Sequence, residues 1–238
     1  MLTGSPHSVE QMERGFRELI TTVTDANLRG LLEELLGASS QTWRRFRSAP
    51  AAKRYHQAYT HGLLEHSLSV AQAVSALCTI FRAVDRDLAL TGALIHDIGK
   101  LDTYAVADQQ IEMTDAGRLQ GEIALGYARL AAAIDARPGF PPPLRQALLH
   151  ILLSHHGSLE HGSPVLPCTR EATLVHMADN LGSKLGSFDR LERELHDGER
   201  WAGYDRAIGT SAYFGTEPST QALAVSSRSR SAARNRAA

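Results

Sequence analysis

Side chains of the kinds that bind metal ions stand at apolar helix positions in this chain. His66 lies three residues after Leu63 and four before Val70, so it shares the apolar face of a predicted helix. The pair His96-Asp97 ends an apolar run, LTGALIHDIGK. An ionised Asp at a buried position is costly unless it is paired or bound to a cation. These residues therefore indicate a buried site with metal or ion-pair chemistry.

Two further segments repeat the pattern. His155 shares an apolar face with Leu148 in LLHILLSHHG, with His156 beside it, and Asp179 has the phase of the apolar residues on another predicted helix. Imidazole and carboxylate groups are the usual ligands of Zn, Mn, Fe and Ni. Apart from Lys100, the sequence offers no buried Lys or Arg to pair with them. We therefore predict that these groups, from four separate helices, share a divalent metal.

The helices that must position these residues follow from the apolar periodicity. Helices are predicted over 8–36 with a break near Asp25, and over 62–84, 87–98, about 118–135, 144–156, 170–186 and 188–200. Prolines before 144–156 and Gly157 after it suit the start and end of a helix. A short hairpin is predicted around Ile111 and Met113. The predicted fold class is all-α.

Composition narrows the class of protein. The chain has 238 residues, 43% of them hydrophobic, and a net charge of −1, which is typical of a globular protein without a global basic field. Cys78 and Cys168 form no CxxC pair, and no signal peptide or membrane-spanning run is found. We therefore expect a soluble, cytoplasmic protein.

The spaced polar residues have a known counterpart. His66, the pair His96-Asp97 and Asp179 resemble the H…HD…D motif of the HD-domain phosphohydrolase superfamily. The resemblance implies a helical bundle, a metal held by these four residues, and activity on phosphate esters. Residues 28–186, in stretches such as LIHDIGKLDTY and LVHMADNLGSKL, also resemble the nuclease domain of YhaM-type bacterial 3′–5′ exoribonucleases. Those proteins carry an OB-fold that binds single strands, and we expect none here.

The phosphodiesterase branch of this superfamily adds His ligands for a second metal. The resemblance makes His155 and His156 candidates, and Glu122 stands where another His is expected. Glu can bind a hard or borderline cation, so a ligand role and an ordinary surface role both stay open for it. With two ions, the resemblance implies that Asp97 bridges them and that a hydroxide between them attacks phosphorus. We predict one or two divalent ions, with Mn²⁺ favoured over Fe²⁺, Ni²⁺, Zn²⁺ and Mg²⁺.

Several residues near these motifs are candidates for contact with substrate. Lys100, three residues after Asp97, is predicted to neutralise a phosphate oxygen and to act in catalysis. Arg118 is a second candidate for that role, and a surface position is the alternative for both. His61 is predicted to contact substrate. His176 is a candidate for orienting a ligand.

We expect residues 1–60 to form an N-terminal helical extension packed on the core, 61–200 the HD domain, and 201–238 a largely disordered tail with an Arg/Ser-rich end. The predicted function is a phosphodiesterase or 3′–5′ exonuclease acting on short single-stranded RNA or DNA, or on nucleotides. One alternative is a single-metal nucleotide phosphohydrolase or phosphomonoesterase. The other is a non-catalytic or relaxase-associated HD module that binds nucleic acid. The oligomeric state stays open.

Overall fold

The computed structural model describes residues 7–53, 57–107 and 110–215, and within them helices predominate. This confirms the all-α prediction. The helices are α1 (Val9–Thr21), α2 (Ala26–Leu36), α3 (Gln41–Phe46), α4 (Gly62–Leu77), α5 (Arg86–Ile95), α6 (Lys100–Thr103), α7 (Asp115–Gln120), α8 (Glu122–Asp135), α9 (Pro142–Ser154) and α10 (Arg170–Glu194). The strands are β1 (Tyr104–Ala107), β2 (Gln110–Met113), β3 (Trp201–Asp205) and β4 (Thr210–Tyr213). The chain divides between Gly186 and Ser187 into two compact units.

The first unit has a continuous hydrophobic core to which α1 to α6, α8, α9 and the first half of α10 contribute. Phe16 of α1 is fully buried against Trp43 and Phe46, with ring centroids 5.3 and 5.6 Å apart. In the middle of this core α4 packs on α5, and α5 packs on α9. The helices that carry the predicted ligands therefore face one another across a common apolar interior.

Several helix boundaries follow from local chemistry. The helix predicted over 8–36 is interrupted near Asp25, as foreseen. The carboxylate of Asp25 accepts hydrogen bonds from the backbone N–H groups of Asn27 and Leu28 at 2.8 and 2.9 Å and so caps the start of α2. Asp85 caps α5 in the same way, accepting from Leu88 N–H at 3.0 Å. β1 and β2 pair as an antiparallel hairpin with Tyr104 opposite Met113, which confirms the predicted hairpin.

Other boundaries differ from the prediction. The helix predicted over 118–135 is two helices, since Gly121 has a φ of 78° that ends α7 and begins α8 at Glu122. The helix predicted over 62–84 ends at Leu77. The two helices predicted over 170–186 and 188–200 are one helix, α10, that ends at Glu194. The apolar pattern changes phase between the two predicted helices, but no Pro interrupts the backbone there, so the helix continues.

The second unit contains an antiparallel hairpin of β3 and β4 that the sequence analysis did not predict. The rings of Trp201 and Tyr213 lie 4.8 Å apart across it, and Phe188 lies 6.3 Å from Phe214. A cross-strand pair such as Trp201–Tyr213 stabilises a hairpin but leaves little periodicity in so short a segment. The remainder of the predicted tail, 216–238, lies outside the described residues. No helix in the described part of the chain is long and apolar enough to cross a membrane.

Candidate metal centre

The predicted ligands come from separate helices and meet in the interior of the first unit. His66 lies on α4, the pair His96-Asp97 follows directly after α5, and Asp179 lies on α10. His66, His96 and Asp97 are 5%, 2% and 3% exposed. Polar side chains buried to this degree require partners, and these residues are partners for one another.

Cluster 1 consists of His66, His96 and Asp179, whose donor atoms all lie within 4.8 Å of one another. Nε2 of His66 lies 3.2 Å from Nε2 of His96 and 3.0 Å from Oδ1 of Asp179. Nδ1 of His96 lies 2.7 Å from the carbonyl oxygen of Ala93. A neutral His96 that donates there keeps Nε2 as a free lone pair, which is the usual arrangement of a metal-binding imidazole.

Cluster 2 consists of Asp97, Glu122, His155 and His156, again with donor atoms within 4.8 Å of one another. Nε2 of His156 lies 3.1 Å from Oε1 of Glu122, and Nε2 of His155 lies 3.6 Å from Oδ1 of Asp97. Both imidazoles direct Nδ1 at a backbone carbonyl, His155 at Leu152 and His156 at residue 161, at 2.7 and 2.9 Å. Each Nε2 therefore points into the cluster.

Asp97 stands between the two clusters. Its Oδ2 lies 3.2 Å from Nε2 of His66 and 3.4 Å from Nε2 of His96, whereas its Oδ1 faces His155. Oδ2 of Asp97 and Nε2 of His155 are fully buried, and Oδ2 also forms an ion pair with Lys100. Buried N and O donors with spare lone pairs fit a divalent cation, so the donor set suits the metal that the sequence predicts.

The charges in the site are strongly coupled. Burial opposes ionisation of Asp97, but nearby Lys100 and His96 outweigh it and hold the pKa of Asp97 well below its usual range. Burial also lowers the pKa of His66, yet hydrogen bonds to Asp179 and Asp97 raise that pKa to about 9. For His155 burial dominates and lowers the pKa. The carboxylates therefore keep their negative charge in the interior, as cation ligands must.

The remaining predicted residues occupy different places. Nζ of Lys100 lies 2.7 Å from Oδ2 of Asp97, at the edge of both clusters. His61 begins α4 in a left-handed conformation, with Nδ1 on the carbonyl oxygen of Arg47, and it belongs to neither cluster. Arg118 is exposed near the end of α7 and likewise stands outside the clusters. Substrate contact by these two residues stays a prediction.

His176 supports the second cluster from α10. Its Nδ1 lies 2.8 Å from the carbonyl oxygen of His155, and its ring covers Gly157, where any Cβ would overlap the imidazole. Gly157 also has a φ of 78°, which few other residues adopt. The sequence HHG therefore makes a turn that only Gly permits, and His176 holds that turn in place.

Sequence reasoning missed three residues that shape the site. A Cβ on Gly99 would overlap the carbonyl oxygen of Glu122 and lie 2.6 Å from the backbone nitrogen of Gly126, so α8 approaches the HDIGK turn backbone to backbone. The glycines in the segments HDIGK and EIALGY are the sequence features that could have indicated this close approach. Tyr104 follows Lys100 by one turn; burial, helped by the Glu122 carboxylate, raises its pKa.

Together, the helical fold and the paired His/carboxylate clusters define a class of helical proteins whose interior is suited to divalent metals. The HD domain family matches residues 63–183, and the chain belongs to that family. It is thus an HD-domain metal-dependent phosphohydrolase. No solved structure gives a significant match.

Two relatives are similar over much of this chain. The 3′–5′ exoribonuclease YhaM of Geobacillus sp. (strain WCH70) is 30% identical over 198 residues, which cover 83% of this chain and 60% of the relative. The 3′–5′ exoribonuclease YhaM of Bacillus subtilis (strain 168) is 32% identical over 154 residues, 65% of this chain and 48% of the relative. The chain therefore spans between about half and three fifths of the length of these curated relatives.

Proposed function

We propose that this protein is a phosphodiesterase, acting as a 3′–5′ exonuclease on short single-stranded nucleic acid or on nucleotides. The observation that carries the proposal is the position of Asp97, whose two carboxylate oxygens face two different groups of ligand atoms. Sites with two metals are common in enzymes that displace groups at phosphorus. A carboxylate shared by two clusters is the arrangement that such a pair needs.

The residues of each cluster have distinct roles in this proposal. His66, His96 and Asp179 would hold one ion, Glu122, His155 and His156 would hold the other, and Asp97 would be available to both. We favour Mn²⁺ because the donor set mixes imidazole with carboxylate oxygen. Bound divalent ions supply Lewis acidity and lower the pKa of water.

Lys100 is the cation that the chain itself contributes. Burial lowers its pKa, but the negative charges of Asp97 and Glu122 outweigh this effect and raise it, so the ammonium group stays protonated at neutral pH. A fixed positive charge beside the ligand clusters favours a phosphate group and the charge that develops on its oxygens during hydrolysis. Lys100 therefore orients and neutralises the ester without itself transferring a proton.

The choice of nucleic acid rests on the relatives. The chain resembles proteins named 3′–5′ exoribonucleases over 83% of its length in one alignment, which supports an end-directed nuclease and single-stranded RNA as the first substrate to test. We also propose that the domain spans 61–200, which contains the family match at 63–183, with 1–60 as a helical extension and 201–238, which includes the β3–β4 hairpin, as a C-terminal segment.

The test combines metal content with hydrolysis. We expect about two ions per chain after loading with Mn²⁺, and release of 4-nitrophenol from bis(4-nitrophenyl) phosphate and of mononucleotides from 3′-labelled oligoribonucleotides. Asp97→Asn should abolish both activities while the helical circular dichroism is kept. Asp115→Asn, at an exposed acid of α7, is the matched control and should retain activity. A protein with two bound ions that cleaves no diester would contradict the proposal, and turnover of nucleoside monophosphates alone would favour the single-metal nucleotidase.

A further inference from the structure

A cleft of about 580 Å³ opens directly beside cluster 2. Glu122 and His156 of cluster 2 line it, together with residues of α8 and of the loop after α9. Its volume lies within the range of small-ligand sites. The cleft is therefore within reach of a group attached to a phosphate at the clusters.

The walls of the cleft are mainly apolar. Ile123 and Tyr127 line it from α8, Leu153 from α9 and Pro164 from the following loop. Among the described residues that line it there is no Lys or Arg to pair with a second phosphate. Gln120 and His161 add polar side chains to the lining. This chemistry suits an uncharged, flat group with a few hydrogen-bonding atoms.

Tyr127 gives the cleft an aromatic surface. The residue is 36% exposed, so part of its ring is open to a ligand. Its hydroxyl interacts with Arg145, which also pairs with Asp135 at 2.9 Å. The hydroxyl end of the side chain is thus near Arg145, while the residue lines the cleft. Aromatic side chains stack on nucleobases with little preference for sequence.

The geometry points to this cleft as a nucleobase subsite, which takes the base of the nucleotide whose phosphate lies at the metal clusters. The inference rests on the proposed function for the position of the phosphate, and it adds a binding site for the base. It assigns Tyr127 as the stacking residue. Since stacking tolerates every base, all four nucleotides should be accepted.

The test compares two ligands that share a phosphate and differ in the base. Binding of adenosine 5′-monophosphate and of ribose 5-phosphate to the Mn²⁺-loaded full chain is measured by calorimetry. We expect the nucleotide to bind roughly tenfold more tightly, the factor typical of one stacked base. Tyr127→Ala should remove that difference, whereas Tyr127→Phe should keep it. Tyr204→Ala, at an exposed Tyr of the second unit, is the control and should change nothing.

A second variant blocks the cleft without removing the stacking ring. Ala124 lines the cleft and is exposed, so Ala124→Trp should fold and fill the space. It should weaken binding of adenosine 5′-monophosphate to the level of ribose 5-phosphate. Equal affinity of the two ligands for the unmodified protein, or failure of either to bind, would overturn the inference.

Hydrolysis of a diester without a base separates this inference from the proposed function. If bis(4-nitrophenyl) phosphate is hydrolysed but the two ligands bind equally, only the base subsite is wrong. If the nucleotide is preferred and no diester is hydrolysed, the base subsite stands and the proposed function is wrong.

Discussion

Nζ of Lys100 lies 2.7 Å from Oδ2 of Asp97, and this oxygen also faces the imidazoles of His66 and His96. A single carboxylate oxygen is thus shared by a lysine and by the ligands of cluster 1. The ion pair is buried, so removal of either partner leaves a charge without its main counter-ion. Lys100 therefore bears both on the charge balance of the site and on its affinity for phosphate.

We predict that Lys100→Met lowers kcat for diester hydrolysis by about 100-fold, because a fixed charge that stabilises developing negative charge is worth that much in related sites. The number of bound ions should not fall, since Lys100 is not a ligand. The measurement pairs elemental analysis with steady-state kinetics on bis(4-nitrophenyl) phosphate. Lys184→Met on α10 is the matched control. Loss of an ion in Lys100→Met would contradict the separation of roles.

Binding of a second metal ion is expected to depend on Glu122. We predict that Glu122→Ala reduces the Mn²⁺ content from about two ions per chain to about one, because His156 loses the carboxylate that lies 3.1 Å from it. Glu122→His should restore two ions, since imidazole is also a ligand for such metals. Elemental analysis after gel filtration gives the count. An unchanged count in Glu122→Ala would show that Glu122 is an ordinary acid of α8.

Gly99 permits the contact between α8 and the HDIGK turn. Gly99→Ala should destabilise the first unit by about 1–3 kcal/mol, since the new Cβ overlaps backbone atoms that cannot move independently. Gly182→Ala is the matched control, because nothing lies within 4 Å of its Cβ position on α10. That variant should be more stable by about 0.5–1 kcal/mol through helix propensity. Urea titrations followed by circular dichroism measure both changes, and equal midpoints would contradict the packing described.

Asp102 should make stability depend on pH. Burial opposes its charged form, but hydrogen bonds from Arg129 and Arg45 outweigh this and lower the pKa of Asp102. Its contribution is therefore fully present above the unfolded-state pKa of about 3.9 and is lost as pH falls through the lower folded-state pKa. We predict that Asp102→Asn lowers the free energy of unfolding by about 1 kcal/mol at pH 7. The difference should shrink towards pH 3, and a difference that stays constant with pH would contradict the ion-pair account.

The sequence predicts the orientation of His66, His155 and Asp179 because a helix of 3.6 residues per turn determines which face each side chain occupies. It also predicts the break at Asp25, where a capping carboxylate acts over two or three residues. Helix periodicity could not place Glu122 beside His156, because that proximity depends on how α8 packs on its neighbours; only the family resemblance brought the two residues to one site. The same holds for β3 and β4, whose pairing depends on contacts between rings rather than on a repeating pattern.

Helix α10 carries Asp179, and one turn earlier it carries His176, which holds the carbonyl of His155 at 2.8 Å. One helix therefore supplies a ligand to cluster 1 and the hydrogen bond that supports cluster 2. A shift or rotation of this helix would change the spacing of ligands in both clusters at once, so the geometries of the two clusters are coupled.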